Sequence, residues 1–500
     1  MWESPVRFRG CAATVMLRFD SNFQPVRTPF FSIILYGLPF PATHRNGANV
    51  TVELTAGLID KSIVESVSCP GLFCPTIAAD GILTRIRTPG GIVSCIQLAA
   101  LARVMERSGC SQLLITNRAN IQLRSVQNLT EFDLNDLQEV GLAARNPDVD
   151  HLRNVMTSPM AGLELGAFDV VPALREIERF ICETPKLAAL SAKFSIGIDG
   201  GELVSVRDRA NDIWLVAENR GYRLVLGEES PLDIVSDDPV ELVRAVADRY
   251  LQYADQVVNK SVKHRRSRKP RLRDVIEHIG KERFLDGLVD CRISEDTASH
   301  VPTLGELDKT ELLHSQEDLD RIGLEIVCPL GKLTIEQING LIAVLEWFDL
   351  GEIRLTPWQT LLIPNVLRSF LKSIKIALSE IPLNPDANHP ARGVVACSGK
   401  SGCASAATHA QEHAQLLIAQ LAKYPDRSFP SIHISGCEKL CAQPRGSDAG
   451  GSMGRDIVLI GREVDGIERY GIEQYGLQYG LLCPDDAIAQ IITSLNTRND

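Results

Sequence analysis

Two short segments carry the chemistry of this sequence. ACSGKSGCASA places Cys397 and Cys403 with five residues between them, and ISGCEKLCAQP places Cys437 and Cys441 with three between them. Four thiolates delivered by two short loops can hold a cubane iron–sulfur cluster, a group that transfers electrons. Ser398, Gly399, Ser401, Gly402 and Gly436 surround them. Small residues let the backbone approach a cluster, and their amides can hydrogen-bond to its sulfurs. Cys403 is expected to precede a helix, whose N-terminal dipole favours a thiolate. Structural zinc is bound by more closely spaced pairs, so the five-residue gap argues against it. The other nine of the thirteen cysteines are scattered and read as ordinary buried thiols. Cys69 and Cys74, in CPGLFCPT, have no second pair nearby.

The elements around these cysteines read as an α/β domain. RGVVAC, SIHIS and DIVLIG are predicted strands, ASAATHAQEHAQLLIAQLAKY one long alanine-rich helix, and PDDAIAQIITSL a closing helix. His409 and His413 stand one helical turn apart with Glu412 between them, spacing that can serve a metal; they are read as solvated histidines. Upstream, GILTRIRTPGGIVS is predicted as strand, Pro-Gly turn and strand. CIQLAALARVMERSG is a helix ending at Gly109, and SQLLITNRANIQLRSV is strand, turn and strand. The same unit returns 240 residues later without a gap: Pro89, Gly91, Gln97, Leu101 and Thr116 fall on Pro329, Gly331, Gln337, Leu341 and Thr356. Two copies so far apart imply a duplicated half-protein with a pseudo-twofold axis, and such axes place ligands between halves. Between the copies lie an α/β stretch containing KFSIGIDGG, a basic segment KSVKHRRSRKPRLRD read as a solvated linker or helix start, and one amphipathic helix, VIEHIGKERFLDGL.

Composition limits the partners. The 500 residues are too many for one core. A formal net charge of -11 argues against general nucleic-acid binding, so an anionic ligand needs a local basic cluster. The apolar run FFSIILYGLPF is too short to span a bilayer, and no export signal is read, so a cytoplasmic location with reduced thiols is expected. No glycine-rich nucleotide fingerprint occurs, so NAD(P)H is expected to act through an external electron-transfer protein. The duplication already supplies two halves, so a monomer is expected.

Paired C-x5-C and C-x3-C in a chain with a duplicated βαβ-like half resemble the nitrite and sulfite reductase family, over roughly Cys69 to the C-terminus. The resemblance implies a 4Fe–4S cluster on Cys397, Cys403, Cys437 and Cys441, with Cys441 bridging to the iron of sirohaem. It implies an α/β (α+β) fold, nitrite/sulfite reductase-like, in which two ferredoxin-like half-repeats form one domain beside two α/β domains that bind cluster and tetrapyrrole. The expected divisions are a poorly patterned extension 1–67, half-repeats 68–132 and 306–375, a central tetrapyrrole-binding domain 133–305 and a cluster-binding domain 376–500. In TNRANIQLR, Thr116, Arg118 and Gln122 match the family strand, while Ala119 and Arg124 replace Gln and His. LRNVMTSPMAG matches with Arg153 and Asn154, and KFS keeps Lys193 but has Ser195 for a second lysine.

Fewer cations at the haem face weaken the cage that a small anion needs. The departures resemble a divergent branch of the family, the precorrin-3B synthases of aerobic cobalamin biosynthesis, also in CPGLFCPTIAADGILTRIRTPGG and TPW. That resemblance implies O2-dependent hydroxylation of precorrin-3A at C20 with γ-lactone formation. Arg118, Arg124, Arg153 and Lys193 would hold its carboxylates, Gln122 and Asn154 would also contact the tetrapyrrole, and Gln359 stands where an arginine is expected. A mononuclear non-haem iron is implied as a further cofactor, with sirohaem as the alternative occupant. The competing readings are a sirohaem-dependent sulfite or nitrite reductase and a non-catalytic electron-relay or tetrapyrrole-carrier protein.

Overall fold

The computed structural model describes residues 2–5, 16–19, 71–218, 221–227, 231–257, 269–286, 288, 312–313, 320–386, 388–424, 429–442, 457–474 and 477–496. The expected extension 1–67, Cys69 and most of the basic segment fall largely outside them. Within 1–52, the described residues form one antiparallel hairpin, Trp2–Pro5 with Met16–Phe19.

The duplication is visible element by element. In the first copy, strands Gly81–Ile86 and Ile92–Ser94 lead into helix Cys95–Ser108 and then strands Gln112–Ile115 and Ile121–Val126. The second copy has Arg321–Ile326, Lys332–Thr334, helix Ile335–Trp347, Glu352–Leu355 and Leu361–Leu367. Both helices start with the same capping box, Ser94 with Gln97 and Thr334 with Gln337, which satisfies orphan N–H groups of the first turn. Left-handed backbone recurs at matched places too, at Ala119 and Gln359 and at Ser125 and Asn365.

The copies are interlocked by strand exchange. Ile92–Ser94 pairs antiparallel with Glu352–Leu355 of the second copy, and Lys332–Thr334 pairs with Gln112–Ile115 of the first. Gly91 and Gly331 permit the two crossings. Both have positive φ (71° and 70°), and a Cβ would lie 2.4 Å from the Leu355 carbonyl oxygen and 2.9 Å from that of Ile115. One continuous core joins both sheets and both helices, from Ile86, Leu101 and Met105 to Ile326, Leu341 and Leu345. The sequence pattern predicted two copies packed together; the exchange was not legible, because a three-residue strand carries no address for its partner.

The duplication also reaches the α/β parts. Strands Val155–Met156, Ile196–Asp199 and Ile213–Glu218 run parallel, followed by antiparallel Gly221–Leu226 and Val235–Ser236. Val394–Ala396, Ile432–Ser435 and Ile457–Val464 run parallel, followed by antiparallel Ile467–Gln474 and Leu477–Leu482. Order and sense are the same.

Three local expectations are corrected. The amphipathic segment is two helices, Leu272–Ile279 and Lys281–Leu285, broken at Gly280, whose φ of 87° is not helical. The alanine-rich helix spans only Ala410–Leu421, because residues 404–409 turn beside the cysteine loops. Cys403 therefore does not begin a helix. It closes the short helical turn Gly399–Gly402, so the dipole argument for its thiolate falls away.

Candidate functional site

The cysteine loops follow the first and second parallel strands of the C-terminal sheet. Cys397 lies just past Val394–Ala396, and Cys437 two residues past Ile432–Ser435. The loops are tied together: Ala407 donates its amide to the Gly436 carbonyl at 2.7 Å, and the Gly436 amide donates to Cys397 Sγ at 3.1 Å. All four thiols are free; Cys441 is exposed and the other three are half-buried. Burial raises the Cys397 pKa, the Gly436 and Gly399 amides oppose this, and Cys437 and Cys403 raise it further. Burial raises Cys441 too, followed by the charges of Cys437, Cys397 and Cys403. The two loops that carry the four cysteines are thus joined at Gly436, whose amide meets Cys397 and whose carbonyl meets Ala407. Among the described residues no three His, Cys, Asp or Glu side chains converge on a single ion. A cubane several atoms wide needs thiolates around a volume and not a point, so this donor set with its amide-to-sulfur bond fits a cluster.

A second centre is basic. Arg118 Nε donates to Asn154 Oδ1 at 3.3 Å, Nη1 to the Ala210 carbonyl at 2.9 Å, and Nη2 to Asn211 Oδ1. Asn120 donates to the same Asn154 oxygen at 2.8 Å and accepts from the Thr88 amide at 2.9 Å. Burial pushes the Arg118 pKa down to about 10; the charge of Arg87 lowers it, Asp212 opposes this, and Arg271 and Arg209 lower it further. The charges of Arg87, Arg209 and Arg271 thus bear on Arg118 with Asp212 against them, while Arg209 has its own acid in Asp208 at 3.3 Å. In a chain of formal net charge -11 this is the local basic cluster that an anionic ligand needs. Arg209 also stacks 5.8 Å from the Trp358 ring, and Arg207 4.9 Å from Trp214.

The structure separates the residues singled out from sequence. Arg118 and Asn154 meet directly. Gln122 is buried and accepts from Arg85 Nε at 3.2 Å. Arg153 is 2 % exposed and its guanidinium is consumed by Glu178 (2.7 Å), Asp150 (3.2 Å) and the Gly141 carbonyl. Arg124 is engaged by both carboxylate oxygens of Asp80 at 2.8 Å and by the Gly402 carbonyl at 2.6 Å. Both guanidiniums are already paired with protein carboxylates, unlike Arg118, whose partners are neutral oxygens, which corrects the expectation that both hold ligand carboxylates. Lys193 is exposed, and its backbone amide donates to Ser191 Oγ. Gln359 is buried and donates to the Ile115 carbonyl at 3.1 Å, inside the strand exchange. His409 bonds Glu468 at 2.6 Å and His413 bonds the Tyr470 hydroxyl at 3.0 Å, so the two imidazoles have separate partners.

Sequence reasoning missed Arg87, Arg209, Asp212 and Arg271. Arg271 belongs to the basic run read as a solvated linker or helix start; it stands directly before helix Leu272–Ile279 and pairs with buried Asp212 at 2.9 Å. The signal was a cation directly before a helix, not separable from a solvated run without its partner.

A fold of exchanged ferredoxin-like halves with a four-thiol site and a basic cluster defines an iron–sulfur oxidoreductase. Residues 78–139 and 314–381 match the nitrite/sulfite reductase ferredoxin-like half domain, and residues 148–294 match the nitrite and sulphite reductase 4Fe-4S domain. Together these exceed half of the chain, and the chain belongs to the nitrite and sulfite reductase family. It is 27% identical over 427 residues to the ferredoxin–nitrite reductase of Synechococcus elongatus, covering 80% of this chain and 81% of the relative. It is 25% identical to a ferredoxin-dependent sulfite reductase of Mycolicibacterium paratuberculosis, covering 74% and 69%. The solved Mycobacterium tuberculosis NirA protein shares the fold at a TM-score of 0.61 with 20% identity, over 82% of this chain and 79% of that one.

These relatives overturn the precorrin-3B synthase expectation and, with it, precorrin-3A and O2 as substrates. The physical reason lies in the basic cluster. The missing histidine and second lysine do not leave the site without cations, since the charges of Arg87, Arg209 and Arg271 all bear on Arg118. No helix among the described residues is long and apolar enough to cross a membrane.

Proposed function

We propose that the protein is a ferredoxin-dependent reductase of a small oxyanion, nitrite in the first instance, carrying sirohaem and a 4Fe–4S cluster. The carrying observation is the pairing, in one chain, of two cysteine loops tied by Ala407 to Gly436 and by Gly436 to Cys397 Sγ with an Arg118 guanidinium held by Asn154, Ala210 and Asn211. The sulfur site suits one-electron delivery, and sirohaem, when bound, supplies the iron at which an oxyanion is reduced. Cys397, Cys403, Cys437 and Cys441 would hold the cluster. Arg118, oriented by Asn154 and Asn211, would meet acidic side chains of the tetrapyrrole by charge-assisted bonds. Arg87, Arg209 and Arg271 would add positive potential around an incoming anion, which favours its approach and its build-up of negative charge. Ferredoxin comes from the relatives' names and replaces the NAD(P)H-linked protein expected from sequence. The test is anaerobic purification of the wild-type protein and Cys437→Ser, with iron, acid-labile sulfide and chromophore assays. The wild type should contain both groups and the variant should lose the cluster's sulfide; equal sulfide in both would overturn the cysteine assignment.

A further inference from the structure

Arg124 ties the first half-repeat to the cysteine loop. It sits on strand Ile121–Val126, is 9 % exposed, and donates two bonds to Asp80. The same Nη2 reaches across to the Gly402 carbonyl at 2.6 Å, 278 residues further along the chain. The peptide group that it binds is the one whose amide belongs to Cys403. A guanidinium on that carbonyl polarises the peptide and strengthens its N–H as a donor. Gly402 is shaped for the contact: a Cβ there would stand 2.5 Å from Arg124 Nη2. A second cation is close by, since Lys332, on the exchanged strand of the second copy, has its pKa lowered by burial and then by the charge of Arg124.

We infer that Arg124 is a positioning residue of the iron–sulfur site, which fixes the Gly399–Cys403 turn through the Gly402 carbonyl and stabilises the reduced cluster by its positive charge. The inference rests on the cluster reading above. Gaining an electron makes the cluster more negative, so a nearby buried cation and a better amide donor both favour the reduced form. The two half-repeats share one continuous buried core, so the arginine ties the position of that core to the cluster loop. Asp80 keeps the fork aimed, and its own negative charge weakens the field that the cluster feels.

The test is a reductive titration of anaerobically purified protein, followed by absorbance and electron paramagnetic resonance. At the ambient potential where half of the wild-type cluster is reduced, Arg124→Gln should lower the reduced-to-oxidised ratio at least tenfold, equivalent to 59 mV for a one-electron couple. Arg124→Lys keeps the charge and should recover most of that ratio. If Arg124→Gln does not accumulate as folded protein, Gly402→Ala takes its place, because its methyl group displaces the guanidinium tip and leaves the residue present. An unchanged ratio at full iron and sulfide content overturns the inference, as does an Arg124→Lys protein displaced as far as Arg124→Gln. Failure of the underlying cluster assignment is read separately, as retention of sulfide in Cys437→Ser.

Discussion

Ser195 donates its hydroxyl to Asp212 at 3.0 Å. This serine stands where the family resemblance expects a second lysine, and the structure gives it a different task. With one oxygen held by Ser195, buried Asp212 uses the other to hold Arg271 at 2.9 Å. Asp212 thereby holds Arg271, at a helix start on another segment, where its charge is felt at Arg118.

Arg118 is the residue on which ligand affinity should depend. With a pKa near 10 it remains charged at neutral pH. Losing one charged hydrogen bond costs about 1.5–3 kcal/mol, roughly ten- to a hundredfold in affinity. Arg118→Ala should weaken sirohaem binding by that order while sulfide content stays at the wild-type value. Titration of the apoprotein with the tetrapyrrole measures this, and unchanged affinity would remove Arg118 from the site.

Arg153 should behave in the opposite way. Its removal leaves Asp150 and Glu178 without their common cation in a buried setting, a loss of about 3–5 kcal/mol. Arg153→Ala should therefore lower the denaturant midpoint sharply. Arg118→Ala should move it much less, and a reversal of that order would contradict the assignment of roles.

Half-buried His151 and buried Glu202 give stability opposite pH dependences. Burial, then the charges of Arg87 and Lys269, lowers the His151 pKa to about 4 from 6.5. Between those values the unfolded chain binds more protons, so stability falls as pH drops from 6.5 to 4. Burial raises Glu202 to about 7 from 4.5. There the folded chain binds more protons, so that contribution is present below pH 4.5 and lost as pH rises through 7. Urea midpoints across pH 4–8 should show His151→Gln flattening the acid limb and Glu202→Gln gaining at pH 8 but not at pH 4.5. The same response from both variants would show the signs to be wrong.

How much was readable before the structure follows from what kind of signal each feature leaves. The four cysteines and the 240-residue repeat are patterns of residue type and spacing, and the helix caps at Ser94 and Thr334 keep that spacing in register. Arg124 and Arg153 were legible as charges only. A motif position tells that a guanidinium is present, not that Asp80 and Gly402, or Asp150 and Glu178, already occupy it. The second duplication escaped for a related reason: the first α/β sheet has Thr157 just past Val155–Met156, where the other has Cys397 just past Val394–Ala396, and the loop chemistry hides the shared strand order.

The strand exchange makes a prediction for Gly91. A side chain there meets the Leu355 carbonyl and a strained positive φ together. Gly91→Ala should cost about 1–3 kcal/mol or more. Equilibrium unfolding measures it, and a neutral effect would count against the crossing.

The central claim is reduction of a small oxyanion with electrons from ferredoxin. The most direct measurement is anaerobic oxidation of chemically reduced ferredoxin by the purified protein, with nitrite or sulfite added and product nitrogen or sulfur quantified. The expected result is nitrite-dependent oxidation of ferredoxin matched by ammonium, abolished in Cys437→Ser. Protein with a full complement of cluster and sirohaem that turns over neither nitrite nor sulfite would contradict the account.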